Sequence, residues 1–215
     1  FVFDEAASMC TVHTFDSVPS TNTIAKDLAS KNASHGTSVI AKSQTAGRGR
    51  LCKEWHSEPG KGLFCSVIVR PALAVQDYPK ITLAAGLAVS VALDRLTSTY
   101  SQLKWPNDIY FSGKKCGGIL TESSVLAGQE ADLYAVVGIG INVNNCLEDF
   151  PTELTNQVTS LFLETGITFT ILDVFEAIRS ELIATLELFS REGFAQIRSG
   201  WKQKDFLYGK KMECV

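Results

Sequence analysis

The 215 residues are 45% apolar and 20% charged with a formal net charge of −3, the make-up of a soluble globular chain forming one large domain, or one domain plus a fragment. This balance excludes a disordered chain and argues against broad electrostatic capture of nucleic acid, which needs a basic domain. The longest apolar stretch, 81–93, is interrupted by Thr82, Gly86 and Ser90 and is shorter than the ~20 residues that span a bilayer, so no membrane association is expected.

In chain order, Pro19-Ser20-Thr21-Asn22 reads as a helix entrance, with Ile24, Ala25 and Leu28 at helical spacing up to about Lys31. A strand over 38–42 follows the His35-Gly36 turn. The stretch 44–62 is rich in glycine and charge and has no apolar period, which makes it a long loop and a candidate functional one. A strand is expected over 63–70 and a helix buried on nearly all sides over 81–96. Strand pieces at 103–105 and 109–111 precede a Ser112-Gly113 turn that folds 118–122 back as a hairpin partner. Over 135–144 alternation is strict: Val137, Ile139, Ile141 and Val143 take one face, and Gly138, Gly140, Asn142 and Asn144 the other. A face of glycines and asparagines leaves room for something to lie against the sheet. Thr170 caps a helix whose stripe of Ile171, Val174, Phe175, Ile178, Leu182, Leu186 and Phe189 runs to a stop at Gly193. From Tyr208 onward the chain turns strand-like. Hairpins, helices set between strands and no regular βαβ repeat give an α+β (mixed α/β) class, a mixed sheet packed against helices.

Six cysteines (Cys10, Cys52, Cys65, Cys116, Cys146, Cys214) form no CxxC pair, and no secretory signal opens the chain. They are read as reduced and structural, in an intracellular, most simply cytoplasmic, protein. His13, His35 and His56 lack metal-ligand spacing. The chain begins with Phe1, compatible with a trimmed or internal piece of a longer one.

Four constellations carry chemistry. In Gln44-Thr45-Ala46-Gly47-Arg48-Gly49-Arg50, glycines let backbone N–H groups turn toward an anion and guanidiniums add charge-assisted bonds suited to phosphate or carboxylate. The same GRGR occurs in disordered nucleic-acid-binding tails, a reading that an acidic folded domain disfavours. Lys104-Trp105-Pro106-Asn107-Asp108 interrupts a strand and delivers a cation, an amide and a carboxylate together; a plain proline turn is the alternative. Lys115-Cys116-Gly117-Gly118-Ile119-Leu120 and Gly138-Ile139-Gly140-Ile141-Asn142-Val143-Asn144 are neither a Rossmann fingerprint nor a P-loop. Either could be a strand lightened for packing, but together they suggest a cation overhanging a floor of small residues, an anion-handling cleft.

Taken in order, Ser20-Thr21-Asn22, GRGR with Trp55 five positions beyond its last arginine, KWPND, KxGGIL and GIGINVN closely resemble the biotin protein ligase family over most of 12 to about 201. The resemblance implies a fold related to class II aminoacyl-tRNA synthetases, with 1–204 as catalytic domain and 205–215 as the start of a small C-terminal β-barrel that is cut short. Nothing in the chain corresponds to the N-terminal winged helix of some members. The implied activity is ATP-dependent conversion of biotin to biotinyl-5′-AMP and transfer to a lysine of a biotin carboxyl carrier domain, with magnesium and no tightly bound prosthetic group; homodimer formation is left open. The alternatives are a lipoate or octanoate ligase, or a biotin-sensing regulator.

By the same resemblance Ser20, Thr21, Asn22, Gln44, Gly47, Arg48, Gly49, Arg50, Lys115 and Gly118 belong to the biotin site. Arg50, Trp55, Lys104, Asn107, Gly138 and Asn142 belong to the ATP site, Asp108 organises Mg2+, and Lys115, Arg48 and Arg50 carry catalysis. One departure is Cys52-Lys53, where the family usually has Gly-Arg; a lysine cannot reproduce a bidentate arginine fork.

Overall fold

The computed structural model describes residues 11–56, 58–124 and 133–210. Its strands β1 (Val12–Val18), β2 (Ser38–Gln44), β3 (Gly62–Val69), β4 (Gln102–Lys104), β5 (Asp108–Phe111), β6 (Lys114–Ser124) and β7 (Tyr134–Asn142) form one sheet in the order β1-β2-β3-β7-β6-β5-β4. Only β1 and β2 are parallel; every other neighbouring pair is antiparallel. The helices are α1 (Thr21–Ser30), α2 (Ile81–Thr97), a short α3 (Leu161–Thr165), α4 (Ile171–Glu192) and α5 (Ala195–Lys204). The expected α+β class is the observed one.

Alternation decides which face each strand buries. Val137, Ile139 and Ile141 of β7, with Leu63, Cys65 and Val67 of β3, join α2, α4 and α5 in the main core. The alternate residues Ile68, Tyr134 and Val136 meet Ala25 and Ala29 of α1 on the opposite face. Because α1 covers only part of that face, the neighbouring stretch, carrying Gly138 and Gly140, borders an open cleft.

The strands and long helices follow their patterns, with small shifts: β2 runs on to Gln44, and α4 ends on Gly193 at φ 79° as its stop signal requires. Ser20 and Thr170 occupy the expected cap positions, yet neither side chain makes a capping bond. Three elements gave no signal. β1 exposes most of its residues at a sheet edge, α3 is five residues long, and α5 buries little beyond Ile197 and Trp201 on a polar helix. The strand expected from Tyr208 is not formed where it can be described: Tyr208 and Gly209 lie in a turn, and 211–215 fall outside the described residues, as do Cys10 and Cys214.

Candidate active site

The cleft, about 310 Å³, opens between α1, the 45–62 loop and the strands β5, β6 and β7. Its floor is bare because Gly118 of β6 stands directly across from Gly140 of β7. The indole of Trp55 lies on that floor. A Cβ on Gly140 would stand 2.7 Å from Trp55 Cε2, and one on Gly118 would stand 3.3 Å from Cζ3, so the absence of side chains there is a requirement of close approach. Trp55 Nε1 is buried without an acceptor, an unmet donor in the wall of the cleft.

Lys115 reaches the cleft through an irregularity of the sheet. β5 and β6 pair Asp108 with Gly118 and Ile109 with Gly117, but then Tyr110 with Lys115, so Cys116 is an extra residue. Cys116 stays in the core, while Gly117 approaches Ile141 of the core face. Without the bulge Lys115 would share the face of Gly117; with it, Lys115 shares that of Gly118. Bulges re-aim side chains in this way beside functional sites. Lys115 Nζ then sits 2.8 Å from Asp108 Oδ1 and 5.5 Å from the centre of the Trp55 ring. The carboxylate contact is an ion pair without hydrogen-bond geometry, for Asp108 Oδ1 is buried with no hydrogen-bonded donor.

At the opposite end a polar chain links three elements. Gln44 Oε1 accepts from the backbone N–H of Thr21 at 2.9 Å and from its hydroxyl at 3.3 Å. Thr21 Oγ1 lies 2.8 Å from Ser66 Oγ, which lies 2.6 Å from Asn22 Oδ1. Asn22 Nδ2 donates to Leu120 O and to Glu122 Oε2, at 3.2 and 2.8 Å. Both hydrogens of that amide are therefore committed within the protein, which makes Asn22 a tie between α1, β3 and β6. Ser20, not engaged in capping α1, lines the cleft.

The loop supplies the remaining charge. A bridge between Arg48 and Glu54 and a short helical turn at Arg50–Cys52 shape it, with Leu51 at φ 55° and 87% exposed. Arg50 donates to Asn107 Oδ1 at 3.4 Å, and Asn107 is anchored to β6 through Ile119 O at 3.1 Å. Arg48 contacts Thr23 and Glu122. The cleft lining carries the cations Arg48, Arg50, Lys53 and Lys115 against the carboxylates Glu54 and Asp108, a balance suited to an anion.

Of the residues expected from sequence, Ser20, Thr21, Asn22, Gln44, Arg48, Gly49, Arg50, Trp55, Asn107, Asp108, Lys115, Gly118 and Gly138 line this one cleft. Three stand outside its lining. Gly47 lies behind Trp55, where a Cβ would stand 2.7 Å from the Trp55 carbonyl oxygen. Lys104 turns to the hydroxyl of Tyr110 at 3.4 Å. Asn142 is buried and donates to Thr159 O at 2.9 Å. Ser66 and Glu122 were missed in the sequence. Ser66 could have been found as the polar residue on the non-core face of an otherwise apolar strand. Glu122 is pushed up by burial, but bonds from Asn22 and Lys26 and the charges of Lys26 and Arg48 outweigh that and hold it below the usual carboxylate range.

Among the described residues, burial pushes the thiol of Cys65, which lines the cleft, up to about 12 and that of Cys116 in the core higher still, so neither stands ready as a nucleophile. Cys65 and Cys116 should resist alkylation at pH 8 in the native protein and react only after denaturation, as peptide mass mapping would read. His35 accepts from the Arg70 backbone N–H at 2.9 Å, and among the described residues no three His, Cys, Asp or Glu gather as a metal cage. No helix among them is long and apolar enough to cross a membrane.

Fold and cleft together define an α+β domain with a mainly cationic cleft set against one face of its sheet. Residues 14–142 match the Biotin/lipoate A/B protein ligase family. The chain is 44% identical to the bifunctional ligase/repressor BirA of Bacillus subtilis over 70% of this chain and 46% of that one. It is 32% identical to BirA of Escherichia coli over 84% of this chain and 55% of that one. Among solved structures, the biotin protein ligase from Aquifex aeolicus in complex with biotin and ATP superposes with a TM-score of 0.77 at 32% identity, covering 91% of this chain and 78% of that one. The chain belongs to the biotin/lipoate protein ligase family. It spans about half the length of these two BirA relatives.

Proposed function

We propose that the chain activates biotin with ATP and passes the biotinyl group to a lysine of a biotin carboxyl carrier domain. The observation that carries this reading is the bulge-directed Lys115, set over the Gly118–Gly140 floor with Arg48 and Arg50 at the rim of the same cleft. A carboxylate is a poor electrophile and must be activated before an amine can attack it. Its oxygen attacks the α-phosphorus of ATP, the bond to the bridging oxygen breaks, and pyrophosphate leaves with that electron pair. The carrier lysine, as a neutral amine, then attacks the acyl carbon; AMP leaves and the amine proton is lost to solvent. Both steps build negative charge on oxygen. Lys115 and the loop arginines supply fixed donors there, each worth roughly 3 kcal/mol when preorganised. No enzyme nucleophile is needed.

The polar chain of Gln44, Thr21, Ser66 and Asn22 suits a ligand with a hydrogen-bonding head, where lipoate or octanoate would call for an apolar tunnel. Asp108 would offer magnesium a single carboxylate position in the cleft lining, sharing its charge with the Lys115 ammonium 2.8 Å from Oδ1. A Mg2+ held by one carboxylate plus substrate phosphates is the usual arrangement at nucleotide sites. Bound there, the ion would draw charge off the phosphates.

The direct test of the first step is ATP consumption with release of pyrophosphate, measured with biotin, lipoate and octanoate in parallel. Release driven by biotin supports the reading; release driven only by the fatty acids would transfer the chain to the lipoate branch of its family.

Arg50 is expected to retain the intermediate. Its guanidinium closes the 45–62 loop onto Asn107, and a closed loop keeps water from the mixed anhydride. Arg50→Gly removes charge-assisted bonds worth roughly 1.5–3 kcal/mol, so release of biotinyl-5′-AMP should rise about tenfold or more while Arg48 and Lys115 still support its formation. Avidin signal on an unrelated lysine-rich protein, compared at matched adenylate turnover, reads this leak; equal labelling by mutant and wild type would remove the role.

A further inference from the structure

Glu122 lies on β6 beyond the cleft lining and gathers three partners from two separate elements. Asn22 Nδ2 fixes its Oε2 at 2.8 Å, Lys26 Nζ pairs with Oε1 at 3.0 Å, and the guanidinium of Arg48 stands 3.6 Å from Oε2. Arg48 also donates to Thr23 Oγ1 at 3.3 Å. The arginine that the ligase reading assigns to an incoming anion is therefore engaged, in this structure, with a carboxylate and a hydroxyl of the protein itself.

We infer that Glu122 is a positioning residue that parks Arg48: it holds the guanidinium beside α1 until an anion enters, and the ligand's carboxylate or phosphate must win Arg48 from it. The inference rests on the proposed function for the identity of that anion. A group shared between two partners binds the second more weakly by the fraction of time it spends on the first. Arg48 is about half exposed, Glu122 is a quarter exposed and they stand 3.6 Å apart, so the hold is shallow, as a reversible device requires, and its removal is worth about two- to fivefold in affinity. Lys26 shares the charge of Glu122 and so loosens its grip on Arg48. Asn22 keeps the carboxylate aimed, which links the parked loop to the polar chain at the α1 end of the cleft.

The geometry gives each variant its own sign. Glu122→Gln keeps an acceptor for Asn22 and removes only the charge, so biotin should bind about two- to fivefold tighter while uncharged biotin carboxamide changes little. Thr23→Val should move biotin the same way by less, and Lys26→Ala the opposite way. Titration calorimetry of the full chain with both ligands reads these shifts. A purely structural Glu122 would weaken both ligands together in Glu122→Gln, and that result would overturn the proposal. Thr23 and Lys26 lie on the exposed side of α1, so those two variants decide the matter should Glu122→Gln fail to fold. Hydrogen exchange over 47–55 in the ligand-free chain tests parking independently of ligand identity. Faster exchange in Glu122→Gln or Thr23→Val supports it, and unchanged exchange in both contradicts it. Absence of biotin binding by the wild-type chain would instead overturn the ligase reading.

Discussion

Lys115→Ala is expected to lower biotinyl-5′-AMP formation by at least about a hundredfold, the cost of removing one preorganised donor worth roughly 3 kcal/mol at a developing oxyanion. The side chain is 31% exposed and packs no core, so the fold should survive. Its loss does leave Asp108 without a cation. The double variant Asp108→Asn/Lys115→Ala separates the two effects: it should regain any lost melting temperature and stay inactive. Biotin-dependent pyrophosphate release is the readout, and a single mutant that releases pyrophosphate at the wild-type rate would remove Lys115 from the chemistry.

Gly138→Ala is expected to be the most damaging single-methyl change in the cleft. Its Cβ would stand 2.2 Å from Asn22 Oδ1 and 2.9 Å from Cγ, distances at which the amide must leave. Asn22 then gives up Ser66, Leu120 and Glu122 together, and buried groups stranded in this way cost about 1–3 kcal/mol each. Biotin affinity should fall more than tenfold and urea unfolding should shift to lower concentration. Adding Asn22→Ala removes the clash but leaves Ser66, Leu120 and Glu122 without their Asn22 bonds; the double variant should regain only the stability lost to the clash, and not binding. Wild-type affinity in Gly138→Ala would show that the Asn22 tie does not organise the ligand site.

The floor on which both predictions rest was legible in the sequence. Strict alternation through Gly138, Ile139, Gly140 and Ile141 assigns one face to the core and leaves the other bare, and β7 does so. The α2 and α4 patterns were equally clear because nearly continuous burial, or a single apolar stripe, admits few placements. That Lys115 overhangs this floor was suggested by its motif beside the paired glycines, but the means of aiming it was not legible. A regular strand would have turned it toward the core, and the bulge at Cys116 appears only in the pairing of β6 with β5. Asn142 differs in another way: its motif position suggested an open face, and in this structure Thr159, brought up by the segment after β7, takes its amide. Ser66 and Glu122 were missed for a third reason, that each acquires its role through Asn22, 44 and 100 residues away in sequence. Pair contacts of that span leave no periodic trace. β1 lacked the apolar run of a strand because it is a largely exposed edge.

On the proposed function, this cleft joins biotin to a carrier lysine through an adenylate. Incubation of the chain with ATP, magnesium, biotin and a purified biotin carboxyl carrier domain, followed by avidin blotting, tests it most directly. A labelled carrier that depends on ATP and is lost in Lys115→Ala is the expected result. An unlabelled carrier, in a preparation that transfers a lipoyl group to a lipoyl domain instead, would contradict it.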